Sequence, residues 1–247
     1  MIEERLTITP SMKVRTFGDE RSGNRLIRLD APRGLLSINY HAWVHLNAAP
    51  VPLHLEEAPV TALPDEVLHY LMPSRYCESD SMSRAAQHLF GQHAPGIGRV
   101  RAIESWICES IAYLPGYTSS TTAAQDVFVQ RVGVCRDFAR LGITLCRALN
   151  IPARLVVGYV HFDEPPQDFH ALFEAWLEGR WVLFDPTWLA AIDRLVRVGT
   201  GRAAKDVAFA TIFGDVKMLG KELAVDEGET PTDPSTGAPP ALSLVPA

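Results

Sequence analysis

Cys135 has the surroundings that most favour chemistry. Gly133-Val134-Cys135 sets a thiol at the expected first turn of a helix. Unpaired backbone N–H groups and the positive end of the helix dipole favour thiolate over thiol there. The same N–H groups can steady an oxyanion formed beside the sulfur. Cys146 lies further along the same helical face, about three turns on at 3.6 residues per turn. A thiol there points into the core with no helix end beside it. It reads as packing, as do Cys77 and Cys108. No pair has C-x-x-C spacing, and a chain of 247 residues needs no disulfide staples, so four reduced thiols are expected.

A nucleophilic thiol needs a base, and the base needs an orienting partner. Asp168-Phe169-His170 precedes a strand-like run, and Phe184-Asp185-Pro186-Thr187 ends the next one. If Glu178-Gly179 is a two-residue turn between them, Leu172 faces Asp185. His170 then shares a face with Asp185 as its diagonal neighbour, about 7–8 Å away between backbones and within reach of two side chains. Asp168 and Glu174 are rival acids near His170, and Asp168 takes over if the hairpin register slips. Taken singly, each residue has a plainer reading: a satisfied strand histidine, a turn-forming aspartate before proline, a cysteine that merely begins a helix. Together, in the order Cys, His, Asp on helix, strand and adjacent strand, they match a nucleophile, its base and an orienting acid.

Other chemistry is weaker. His41 and His45 have the spacing of a metal pair on a helix, but their surroundings read as strand and no glutamate or third ligand stands near. Gly199-Thr200-Gly201-Arg202 resembles half a phosphate loop without the Lys-Ser/Thr that would hold nucleotide and metal, and reads as a turn. No cofactor is expected. Trp176, Trp181 and Trp188 cluster around the hairpin, Trp181 as core and Trp188 as a possible groove wall.

The elements that must position these residues follow from pattern. Residues 5–9, 24–29 and 35–46 read as strands, with prolines at 10, 32, 50 and 52 between and after them. Pro64-Asp65-Glu66 opens a short helix. Ser79 or Asp80 caps a second helix through about Leu89, and Val100, Ile103, Ile107 and Ile111 place a third over about 100–114. Thr122-Ala123-Ala124-Gln125 has capping-box spacing for a short helix ending near Arg131-Val132-Gly133. A long helix runs from Cys135 to Leu149, with Phe138, Leu141, Leu145 and Leu149 inward, before Asn150-Ile151-Pro152 stops it. Strands 154–161, 170–177 and 180–184 follow. The expected organisation is an N-terminal β unit (1–62), a helical bridge (63–115), a catalytic core (116–222) and a proline-rich, disordered tail (223–247).

Composition bounds the partners. Hydrophobic residues are 47% and charged residues 21%, as in an ordinary globular chain. The net charge of −6 comes with no basic run and leaves no footprint for nucleic acid. The N-terminus MIEERLTITP does not read as a signal peptide, and no apolar run is long enough to span a membrane. A cytoplasmic setting is expected, with no nucleic-acid or membrane partner.

Gly133-Val134-Cys135-Arg136-Asp137-Phe138-Ala139, Asp168-Phe169-His170-Ala171 and Gly179-Arg180-Trp181-Val182-Leu183-Phe184-Asp185-Pro186-Thr187 resemble the core motifs of bacterial transglutaminase-like proteins, in the transglutaminase-like cysteine peptidase superfamily. Tyr70 to Cys77, Gly201-Arg202 and Asp206-Val207-Ala208-Phe209 resemble flanking segments of the same family. The resemblance covers most of residues 1–220, the N-terminal β unit only loosely. It implies an α+β fold: a papain-like core, helix packed on antiparallel sheet, preceded by the small β unit. It also implies Cys135 as nucleophile, His170 as general base and acid, and Asp185 as the residue orienting the imidazole. Papain-like enzymes add a side-chain donor to the oxyanion hole, for which Trp106, Tyr113, Tyr117 and Gln130 are candidates that no spacing separates. Calcium, which animal transglutaminases use, has no recognisable acidic loop here. The expected reaction is acyl transfer on a peptide or protein substrate through a thioester. Hydrolysis is favoured because water is always available, with transamidation the alternative and a non-catalytic peptide-binding module the contrasting class.

Overall fold

The computed structural model describes residues 2–47, 50–162, 168–228 and 242–246. It begins with four strands, β1 (Glu3–Thr9), β2 (Val14–Gly18), β3 (Arg25–Leu29) and β4 (Leu36–Trp43). β1 pairs antiparallel with β4, and β2 with β3. The 5–9, 24–29 and 35–46 runs thus become strands, while β2 stands where no strand was expected. His41 lies on β4, edge-on to Trp43.

Five helices and two short strands follow. They are α1 (Asp65–Leu68), α2 (Ser79–Phe90), α3 (Ile97–Ser110), β5 (Ala112–Tyr113), α4 (Ala124–Gln130), β6 (Val132–Gly133) and α5 (Cys135–Ala148). α3 starts and stops earlier than its apolar spacing suggests. Gly96 sits at φ +127, and a Cβ there would lie 2.5 Å from the Leu55 carbonyl oxygen, so a glycine makes this start possible. At the other end Ile111 turns extended and Ala112 donates its N–H to the Arg131 carbonyl at 2.8 Å. That bond opens the parallel pair β5–β6, which replaces the last expected helical turn. The cap of α4 also shifts by one residue: the Asp126 carboxylate accepts the Ala123 N–H at 3.1 Å, and Arg131 ends the helix at φ 60.

The remaining strands are β7 (Ala153–Tyr159), β8 (Phe169–Leu177), β9 (Arg180–Phe184), β10 (Val196–Gly201), β11 (Val216–Gly220) and β12 (Leu242–Pro246). The main sheet runs β10-β7-β8-β9, antiparallel throughout. Gly199-Thr200-Gly201, expected as a turn, is the end of β10, because it completes an antiparallel edge on β7. The second sheet runs β1-β4-β12-β11. Of the segment expected as a tail, Leu242–Pro246 therefore forms a strand, while 229–241 and 247 lie outside the described residues.

The β8–β9 hairpin has the register that a Glu178-Gly179 turn imposes, with Leu177 opposite Arg180 and Phe173 opposite Phe184. Both turn residues have positive φ, 45° and 77°, the mirror-image turn that matches strand twist. One face of β8 presents Ala171, Phe173, Ala175 and Leu177 to the core shared with α5. Its other face joins Leu172 to Val156, Val160 and Leu195.

α5 is the axis of the core. Phe138, Leu141 and Leu145 are buried against the sheet, and Met82, Phe90, Val100, Ile103 and Ile107 of α2 and α3 join the same cluster. The helices expected as a bridge thus pack directly on α5. Gly142 marks the closest approach to the sheet: a Cβ there would sit 2.7 Å from the Phe173 ring. Two buried arginines tie α5 to its surroundings. Arg140 donates to the carbonyls of Thr122 at 2.7 Å and Ser120 at 3.0 Å. Arg147 donates to those of Ala153, Met72 and Arg202, the last at 2.6 Å. The N-terminal hairpin docks through Asn24, whose side-chain amide exchanges two hydrogen bonds with the Thr200 backbone, at 2.8 and 2.9 Å. Among the described residues no helix is long and apolar enough to cross a membrane.

Candidate active site

Cys135 is the first residue of α5, after an extended Val134. Gly133 is needed for space: a Cβ there would lie 2.8 Å from the Cβ of Asp137. That proximity lets the Asp137 carboxylate accept the Val134 N–H at 3.0 Å and the Thr118 hydroxyl at 2.5 Å, so a buried acid fixes the turn that presents the thiol.

His170 is on β8 and Asp185 follows directly on β9, 1% and 2% exposed. The expected diagonal is realised, with His170 Nε2 2.8 Å from Asp185 Oδ2. The Cys135 side chain is also a hydrogen-bonding neighbour of the His170 ring. With Nε2 given to Asp185, Nδ1 is the nitrogen left to serve the sulfur. Burial works against a charged ring, but the Asp185 hydrogen bond and the Cys135 contact outweigh it and raise His170 to about 9. The ring is therefore protonated at neutral pH. Phe162 covers its edge, centroids 5.4 Å apart.

The rival acids stand elsewhere. Asp168 is exposed, pairs with Lys221 at 2.6 Å and accepts the Phe169 N–H at 2.8 Å. Glu174 is buried between Arg154 and Arg197. Asp185 in turn is held by a residue with no role in the sequence reading, Thr187, whose N–H and hydroxyl both reach Asp185 Oδ1, at 3.0 and 2.7 Å. The aspartate-x-threonine spacing of a side-chain turn is the signal that marks it. Glu104 also reaches this segment, accepting the Asp185 N–H at 2.8 Å; nothing in the sequence around it marks that contact.

Among the four oxyanion-donor candidates, Tyr113 is the one at the thiol. The pairing of β5 with β6 sets Tyr113 opposite Gly133. Burial first, then the neighbouring Cys135 sulfur, push its hydroxyl up to about 12. Trp106 instead stacks on Phe128 beneath the Arg131 guanidinium, Tyr117 is 71% exposed and Gln130 is exposed.

The other thiols are disfavoured. Cys77 and Cys146 are fully buried, and burial pushes the Cys146 thiol far up. Burial, with Asp185, Glu109 and Glu104 nearby, also raises that of Cys108. Trp188, the expected groove wall, is 58% exposed beside Thr187.

Comparison with known proteins agrees with this architecture. The core model of the transglutaminase-like superfamily matches residues 83–186. An uncharacterized protein of Mycobacterium bovis is 30% identical over 234 residues, covering 83% of this chain and 74% of that protein. One from Mycobacterium leprae is 33% identical over 156 residues, 58% of this chain, and the match spans only 53% of its length. The crystal structure of a candidate cysteine protease from Cytophaga hutchinsonii superposes with a TM-score of 0.76 at 34% identity, covering 98% of this chain and 85% of that one.

Proposed function

The chain belongs to the transglutaminase-like superfamily, and from that premise we propose that it is a cysteine-dependent acyl-transfer enzyme that hydrolyses peptide or amide bonds through a thioester on Cys135. The observation that carries the proposal is the buried His170–Asp185 contact of 2.8 Å with Cys135 against the same ring.

The Cys135 thiolate attacks the amide carbonyl carbon while His170 starts as imidazolium. The tetrahedral oxyanion is assigned to two donors beside the sulfur, the Cys135 N–H and the Tyr113 hydroxyl. Collapse breaks the C–N bond, and His170 gives its proton to the leaving amine. Neutral His170 then takes a proton from water as the water adds to the thioester. The C–S bond breaks, releasing acid and regenerating thiolate and imidazolium. Asp185 holds the tautomer and stabilises the ring charge in both halves. An amine in place of water would give transamidation; hydrolysis needs no second binding site and is the simpler reading.

The test is product identity. Peptide amides incubated with the protein and a primary amine at millimolar concentration should give chiefly the acid by mass spectrometry, and Cys135→Ala should give neither product. Predominant amide product would establish transamidation, and turnover by Cys135→Ala would remove the thioester.

A further inference from the structure

Glu104 lies on α3, outside the chemistry above. Its carboxylate reaches the backbone of Asp185, Oε1 accepting the N–H at 2.8 Å across 81 positions of sequence. The β8–β9 ladder ends at Phe173 opposite Phe184, so the Asp185 N–H lies just beyond the pairing and needs another partner. One helical turn on, Cys108 Sγ lies 4.0 Å from the Thr187 carbonyl oxygen. Successive turns of α3 thus grip the 185–187 segment, and Thr187 grips Asp185 Oδ1.

We propose that Glu104 is a positioning residue, fixing the backbone of Asp185 and through it the carboxylate that holds His170 beside Cys135. The proposal rests on the reading of Cys135, His170 and Asp185 as the reacting set. Glu104 also carries a titration close to neutrality. Burial is the main cause, Asp185's charge adds to it, the Asp185 N–H bond and Arg101 oppose it, and the carboxyl is raised to about 7. The groups facing it are Asp185 and, through it, His170 from the sheet, Arg101 and Cys108 on its own helix, and Cys146 on α5, whose thiol feels its charge. Protonation weakens the acceptor and removes a negative charge beside the Asp185–His170 pair, so the anchor is strongest above pH 7.

The alkylation rate of Cys135 by iodoacetamide tests this without a substrate. Peptide mapping across about pH 5 to 8 would follow the folded wild type, Glu104→Gln and Glu104→Ala. The wild type should label first at Cys135 and show an inflection near pH 7. Glu104→Ala should react about tenfold more slowly at the upper end, the scale of one lost charge-assisted hydrogen bond, and lack the inflection. Glu104→Gln keeps a neutral acceptor, as protonated Glu104 does, and should react at a rate between wild type and Glu104→Ala at the upper end while still lacking the inflection. Equal rates in Glu104→Ala and wild type, a glutamine variant as slow as the alanine one, or an inflection that persists in either would overturn the role. Should Glu104→Ala fail to fold in thermal melts, the inflection in Glu104→Gln decides alone. A wild type whose Cys135 labels no faster than Cys108 would instead remove the reacting set on which the proposal stands.

Discussion

Asp185 is held from three directions, by His170 on one carboxylate oxygen, Thr187 on the other and Glu104 on its backbone N–H. Among the described residues, Asp168 has an exposed lysine and its neighbour's N–H. The two acids should therefore answer differently to the same change. Asp185→Asn keeps the shape but can present a donor where His170 needs an acceptor, and kcat should fall by roughly two to four powers of ten. Asp168→Asn should cost under about tenfold, about 1.4 kcal/mol of barrier. Steady-state kinetics on both, with melts to confirm folding, separates them; a crippled Asp168→Asn would mean that the orienting acid is misassigned. At this scale the three side chains were legible because each sits in a local signature: a glycine before a helix, a histidine opening a strand, an aspartate closing its partner. Tyr113 was one of four candidates that spacing did not separate and Glu104 was unmarked, since only the pairing of β5 with β6 and the packing of α3 on the end of β9 bring them to the site.

Elements were legible where a turn and both its arms are contiguous. The Glu178-Gly179 turn fixes the hairpin register, and the register fixes the face that His170 and Asp185 share. β2, β5 and β10 escaped because a strand of a few residues carries no periodicity of its own and is defined by a partner far along the chain. The contact of α5 with β8 is the element-scale feature most open to test. Gly142→Ala would drive a methyl group into the Phe173 ring, 2.7 Å away. Overpacking costs about 1–3 kcal/mol, and meeting a fully buried ring puts this site at about 2–3 kcal/mol, against a helix-propensity gain of about 1 kcal/mol. The melting temperature should drop by about 2–8 °C. A variant as stable as wild type would mean that helix and sheet separate more freely than their packing implies.

For the molecule as a whole, the buried groups near the site set how stability varies with pH. His170 is raised from 6.5 to about 9, so its contribution is fully present below pH 6.5 and is lost as pH rises through 9. Glu104 is raised from 4.5 to about 7, and its contribution is lost, with the same sign, as pH rises from 4.5 through 7. Thermal melts should show stability declining from about pH 5 to pH 9; a rise across that window would contradict both assignments. Apolar spacing reports which faces are buried, so many of the helices and strands were legible at this scale, while the α+β class with its helix-on-sheet core came from the resemblance of the motifs. The partners of the N-terminal sheet were not legible: β12 lies in a proline-rich stretch, and its Leu242-Ser243-Leu244 alternation is too short to mark it. The Arg147 side chain has a consequence of its own. A single guanidinium at the far end of α5 satisfies carbonyls at residues 72, 153 and 202, and it is buried there, 3% exposed. Loosening any one of those three segments strands a buried cation and releases the other two. The helices and the main sheet therefore melt together as one cooperative unit, and an excised Cys135–Asp185 fragment would keep Cys135, His170 and Asp185 without the means to stay folded.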